Sequence, residues 1–483
     1  MFVYPLLTAA AMAGSGAAAN LELTIYNSNF GLVKEVRNLD LKQGRQEVRV
    51  EDVASYIDPT SVSFKSLNAG MPIEILEQNY QYDLISTQTI LLKSIGKRIR
   101  LRQQLENGAQ TVSEGVLLAA PGQIVNSSGG SQYAYTGLVL KTDDGRIILS
   151  PEGTIEVLEL PEGLISKPTL MWDLFSDRAG KANVELAYLT NQITWDADYV
   201  LTLSDDDKKA DLNGWVTINN QSGATYKDAT LKLVAGDVRR LQPMAGGFGG
   251  GGFARGAAEM DKAGFGEESL FEYHLYTLGR PATVRDKETK QIALLSATNV
   301  DVKKDLVLEG QRSVWRNYGK DYRPGEGYAT DPKIKVNVMV AVHNSDKNGL
   351  GMPLPKGKMR VYKRDSSGQV QMLGEDEIDH TPREESFNLY IGDSFDVVGE
   401  RRRVNFRMIS PNSTEETFEI EVRNRKKTAD AVRVVEHGWR EWTISKESMK
   451  STKTDSNTFE YYVPLKPDEE KVITYTIVTR WWY

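Results

Sequence analysis

Histidine is scarce in this chain: His274, His343, His380 and His437, all far apart. No HExxH or other close His spacing occurs, so a zinc site would have to be assembled by the fold. His380, in EDEIDHTPREE, has the richest surroundings. With Asp379 and Glu377 beside it, it could serve as an acid–base group or a metal ligand. The plainer reading, a solvated turn histidine, is favoured by the same acidic, Pro-containing context. His274, in FEYHLY, fits a packed or edge-strand histidine. Asp205-Asp206-Asp207 and the segment Glu375 to Asp379 offer carboxylates to calcium, but neither has the D-x-[DN]-x-[DN]-G register of a dedicated loop. A polar hairpin connection suits the first of them better.

Other reaction classes leave fewer traces. Cysteine is absent, which removes thiol nucleophiles, thiolate zinc sites, iron–sulfur clusters and disulfides together. There is no G-x-S-x-G elbow, no G-x-x-x-x-G-K-[ST] phosphate loop, and no G-x-G-x-x-G between a strand and a helix. A serine–histidine or carboxylate-pair site assembled across the fold stays open. No cofactor is expected.

Aromatic side chains offer a different chemistry. Trp439 and Trp442 bracket Arg440 and Glu441, the chain ends in Trp481-Trp482-Tyr483, and Phe248 and Phe253 stud a glycine-rich run. Exposed, Trp439, Trp442, Trp481, Phe248 and Phe253 would be platforms for a sugar face or a protein partner. Buried, the tryptophans would pack a terminal sandwich, and that reading is preferred because Trp is on average heavily buried. Adjacent Trp481 and Trp482 must point to opposite faces if they lie in a strand.

The elements that would position these groups are strands. From Trp195 to Val238 the chain reads as strand, acidic turn, strand, Asn/Gly turn, strand. Leu201 and Leu203, Val216 and Ile218, and Leu231 and Leu233 share faces at the two-residue period. Ile334, Val336, Val338, Val340 and Val342 continue that pattern over a longer stretch. The expected fold is all-β and multi-domain: antiparallel β-sandwiches with a small barrel-like insertion and little helix. An N-terminal β domain is expected over 20–85 and the barrel-like domain over 86–165, where TILLKSI, KRIRLRQ and EGVLLAA read as short strands. A central sandwich region is expected over 171–410, with a flexible Gly-rich loop at 243–266. An immunoglobulin-like sandwich is expected over 411–483. The polar stretch Tyr318 to Pro332 reads as a second long loop.

Composition fits that picture: 40% hydrophobic and 26% charged residues in a chain of 483, with a mean hydropathy of −0.42. A net charge of −7 argues against general nucleic-acid binding, which needs a basic face. Phe2 to Gly14 is an apolar run followed by Ala17-Ala18-Ala19, so residues 1–19 read as a signal peptide whose n-region lacks its usual Lys or Arg. No other segment has the length of a transmembrane helix.

WDADYVLTL and GWVTINNQSGATYKDATLKLVAGDV resemble a bacterial exported family of unknown function that includes the mucoidy-inhibitor proteins. The likeness continues in FEYHLYTLGRPATVRDKETKQIALL, GKMRVYKRDSSGQVQMLGEDEIDHTPREE, LYIGDSFDVVGERR and EVRNRKKTADAVRVVEH, over most of 171–483. Many members carry a long coiled coil where this chain has the short strands of 86–165. The resemblance implies β architecture and a periplasmic or extracellular location. It supplies no catalytic residues. The expected role is that of a non-enzymatic envelope protein acting on a protein or glycan partner. The alternative is an envelope hydrolase built around His380 and its carboxylates.

Overall fold

The computed structural model describes residues 19–68, 70–105, 108–126, 133–236, 238–240, 265–310 and 333–480. Residues 1–18 of the expected signal peptide, most of the expected loop 243–266 with Phe248 and Phe253, the segment Tyr318 to Pro332, and Trp481 lie outside them. Among the described residues the fold is all-β, with one short α-helix and no helix long and apolar enough to cross a membrane.

Two compact units emerge. The first joins residues up to Thr194 with Asn219–Lys232 and Arg280–Thr289. Its main sheet places Phe30–Leu41 between Ala19–Tyr26 and Gly180–Asn191, all antiparallel. Leu21, Leu23 and Ile25 face the core, as their spacing requires. A three-stranded sheet pairs Thr169–Ser176 with Gly44–Glu51 on one side and Ile73–Gln81 on the other. Within 20–85 the strands Ala19–Tyr26 and Phe30–Leu41 pair with each other. Gly44–Glu51 and Ile73–Gln81, however, are joined through Thr169–Ser176, and Phe30–Leu41 and Ser63–Ser66 through Gly180–Asn191, so both sheets extend past residue 85.

The 86–165 segment does stand out, as a seven-stranded curled sheet around its own core of Ile99, Leu101, Leu117, Tyr135, Leu138 and Leu140. TILLKSI is not a strand there. Residues Thr87–Lys93 form an α-helix, capped by Ser86, whose Oγ accepts from Thr89 N at 3.1 Å, and Leu91 drops into the curl. The cap satisfies a backbone donor that a strand reading left out of account.

The second unit holds Trp195–Ile218, Leu233–Gly279 and Lys290–Tyr483. One sheet path runs from Val370–Ile378 through Gly357–Arg364, Ile193–Leu203, Lys209–Asn220, Glu288–Glu309, Lys333–His343 and Ser386–Ser410. It continues to Ser413–Asn424, Glu470–Arg480 and Glu441–Glu447. Along it Val336, Val340 and Val342 are buried at the expected alternate positions. A terminal domain starting at 411 is not separate either. Ser386–Ser410 and Ser413–Asn424 form one antiparallel hairpin, and the strands Asp430–His437 and Thr458–Leu465 cover the same core. Ala197–Leu203 on Gly357–Lys363 and Leu306–Glu309 on Val432–Val435 are parallel ladders. Parallel neighbours need long connections, and both pairs are far apart in sequence.

Candidate functional site

The hairpin Ile193–Leu203/Lys209–Asn220 builds one broad solvent-facing surface. Hydrogen bonds near its two ends, Ser204 N to Lys209 O and Gln221 N to Gln192 O, both 2.8 Å, hold the same register throughout. Trp215 consequently lies opposite Asp198, and Thr217 opposite Asp196. Val216 and Ile218 point inward and are fully buried, so Trp215 and Thr217 must point outward. Among the described residues Trp215 is the one exposed tryptophan, at 40%.

On the other side of Ile193–Leu203 the parallel strand Gly357–Arg364 sets Lys358 beside Asp198 and Arg360 beside Val200. The strand Val370–Ile378 then sets Glu377 beside Lys358 and Glu375 beside Arg360. Columns of charge alternate across the face: Asp196 and Asp198, then Lys356, Lys358 and Arg360, then Glu375, Glu377 and Asp379. Arg360 spans the gap, with Nη1 3.6 Å from Asp198 Oδ1 and Nε 3.5 Å from Glu375 Oε2. Thr217 Oγ1 donates to Asp198 Oδ2 at 2.6 Å and accepts from Gln291 Nε2 at 3.2 Å. Burial, then the charges of Asp198 and Glu377, push the Asp196 carboxyl above the ordinary aspartate range.

His380, Asp379 and Glu377 do come together, around Lys356. Lys356 N donates to His380 Nδ1 at 3.1 Å, and its Nζ lies 3.4 Å from Glu377 Oε1 and 3.6 Å from Asp379 Oδ1. All three acid–base candidates are exposed, Asp379 at 93% of its side chain. A carboxylate bathed in water and facing a lysine lacks the desolvation that tunes a general acid. The other histidines stay apart: His274 Nδ1 meets Glu267 Oε1 at 2.7 Å, His343 Nδ1 meets Ser386 Oγ at 3.0 Å, and His437 Nδ1 meets Thr458 Oγ1 at 3.1 Å. Among the described residues no three His, Asp or Glu side chains are grouped to hold a metal ion.

The acidic turn is tied down by lysine. Asp207 receives Lys304 Nζ at 2.7 Å and Lys363 Nζ at 2.5 Å, while Asp206 accepts from Ser204 Oγ and Lys208 N. The two lysines already neutralise the carboxylate that calcium would need.

Of the aromatic candidates, Trp442 is a packing residue. Its ring lies tilted against Phe459 at 5.1 Å between centres, its Nε1 donates to Ser456 O at 2.9 Å, and it packs against the core of the second unit. Gly438 lies under the ring, where a Cβ would overlap it. Trp439 is half-buried beneath the Arg440 guanidinium, 4.4 Å from its ring centre. The outward tryptophan is Trp215, which the sequence reading did not single out. Its signal was present: it sits out of phase with Val216 and Ile218. No family model and no curated protein matches the chain.

Proposed function

We propose that this chain is a non-enzymatic, exported protein of the bacterial cell envelope that works by contact with a protein or glycan partner. The observation that carries the reading is Trp215, exposed on a sheet face directly opposite Asp198. An exposed indole offers an apolar face with a polar N–H, and Trp is enriched among the residues that carry binding energy at contact surfaces. The ring stands on central strands of a large sheet, a rigid support for a binding surface. The family resemblance over 171–483 supports the envelope setting. The acid–base candidates, solvated and ion-paired around Lys356, support contact over hydrolysis.

The test is capture of envelope glycan and envelope protein by the purified full chain, comparing Trp215→Ala with Trp442→Ala. Trp215→Ala is expected to weaken capture about tenfold or more while leaving the fold intact. Turnover of a glycan or peptide substrate, abolished by Asp196→Asn or His380→Ala, would replace this reading with the hydrolase.

A further inference from the structure

Around Trp215 and the strands Ile193–Leu203, Gly357–Arg364 and Val370–Ile378, Asp198 and Glu375 have Arg360 within 4.0 Å, and Glu377 and Asp379 have Lys356. Asp196 has no such cation among the described residues. It lies diagonally across the strand pair from Trp215, a separation of about 7–8 Å between backbones and less between side chains. An exposed aromatic ring and a carboxylate lacking a counter-cation thus stand side by side.

We propose that this face binds a glycan carrying free amino groups, with a sugar ring stacked on Trp215 and an ammonium on Asp196. The inference rests on the contact reading above and names its partner. Three observations select the occupant. Asp196, Asp198, Glu375, Glu377 and Asp379 outnumber Lys356, Lys358 and Arg360, so the local field repels polyanions and attracts cations. The upward push on the Asp196 carboxyl comes partly from Asp198 and Glu377, and an arriving ammonium offsets both. Finally, Ile193–Leu203 and Lys209–Asn220 are central strands, each with a neighbour on both sides. Their backbone groups are engaged in ladders, so a peptide could not add as a further strand here. A sugar ring needs only the side chains: the indole for its apolar face, carboxylates and Thr217 for its hydroxyl and ammonium groups.

The experiment titrates the full chain by calorimetry with a short oligomer of glucosamine, its fully N-acetylated counterpart, and an oligolysine of equal charge. The glucosamine oligomer is expected to bind, and to bind about tenfold more weakly to Asp196→Asn, to Trp215→Ala, and when N-acetylated. Asp196→Asn is nearly isosteric, so it keeps the test informative should Trp215→Ala unfold. Equal affinity for the acetylated oligomer overturns the amine assignment. Tighter, Trp215-dependent binding of oligolysine overturns the glycan in favour of a basic peptide. If no oligomer binds but Trp215→Ala still abolishes envelope capture, this inference fails and the contact reading stands. If capture is also unchanged by Trp215→Ala, both fail.

Discussion

Arg401 and Glu436 meet inside the second unit as a two-pronged ion pair, Nε to Oε1 at 2.9 Å and Nη2 to Oε2 at 3.0 Å, with side chains 2% and 0% exposed. Tyr475 closes the network: its hydroxyl donates to Glu436 Oε2 at 2.8 Å and accepts from Arg401 Nη2 at 3.2 Å. Burial, then the Glu436 charge, hold the Tyr475 phenol well above its usual range, so it remains a donor. The guanidinium also lies 3.9 Å over the Phe418 ring. Ser386–Ser410, Asp430–His437 and Glu470–Arg480 each supply one member, so the network ties together strands that share one core.

Removing one partner strands the other charge in that core. Arg401→Met or Glu436→Leu is expected to destabilise the second unit by about 3–5 kcal/mol. The double change Arg401→Met with Glu436→Leu should cost far less than the two single losses combined, because no charge is left uncompensated. Calorimetric unfolding of the three variants checks this. Losses that simply add would mean that the two side chains act independently.

Gly357 sets the strand spacing beneath the Trp215 face. In the parallel ladder it sits beside Ala197, and a Cβ there would overlap the Ala197 carbonyl oxygen and crowd the Ala197 side chain. Backbone cannot swing aside as a side-chain tip can, so Gly357→Ala should cost about 1–3 kcal/mol by forcing the strands apart. It should also weaken any Trp215-dependent binding, because Lys358 and Arg360 ride on the displaced strand. A variant that melts early yet binds normally would separate the strand spacing from the face.

The alternation of Leu201, Leu203, Val216 and Ile218 was enough to predict both strands and their buried face. The same phase puts Trp215 outward, whereas the Trp positions of this block read as packing. The face itself was not legible. It depends on Gly357–Arg364 pairing in parallel with Ile193–Leu203, a contact between distant segments that leaves no local signature. Asp196 reads as an ordinary strand-edge acid until Lys356 is seen turning to Glu377 and Asp379 instead. TILLKSI misled for a local reason. Its Thr and Ile residues fit a strand, while the Ser86 cap that starts a helix lies just outside the apolar run. At 410/411 the chain makes a hairpin turn, which resembles a linker in the sequence because its strands are not paired in advance.

Trp442 and Trp215 should respond in opposite ways to truncation. Trp442 lies on Gly438 and Phe459 and donates to Ser456 O, with Lys453 Nζ 4.4 Å from its ring centre. Trp442→Ala is expected to lower stability by about 2–4 kcal/mol and leave partner binding unchanged once folded protein is compared. Trp215→Ala should do the reverse, with less than about 1 kcal/mol in stability. Melting curves and binding isotherms on the same samples decide it. A binding defect in Trp442→Ala would return that residue to the list of contact surfaces.

The pH dependence of stability offers a separate reading of Asp196. Its surroundings are Asp198 two residues along the same strand, Thr217 opposite, and Lys356 and Glu377 from the neighbouring strands, with Lys356 turned toward Glu377 and Asp379. Burial and the two like charges raise the folded-state pKa above the unfolded value. Between those two values the folded chain holds more protons than the unfolded one, so stability falls as pH rises through that window. Above the raised value the penalty is constant, and below the ordinary aspartate range it is absent. Asp196→Asn removes the titration. The variant should therefore match the wild type in acid and exceed it slightly at neutral pH, by about 0.5 kcal/mol or less given solvent screening at this exposed residue. Melting temperatures of both proteins across that range measure the gap. Adding the glucosamine oligomer at neutral pH should close it, because an ammonium on Asp196 offsets the repulsion that Asn removes by losing the charge. A gap that is flat with pH would mean that Asp196 is not the strained carboxylate of this face.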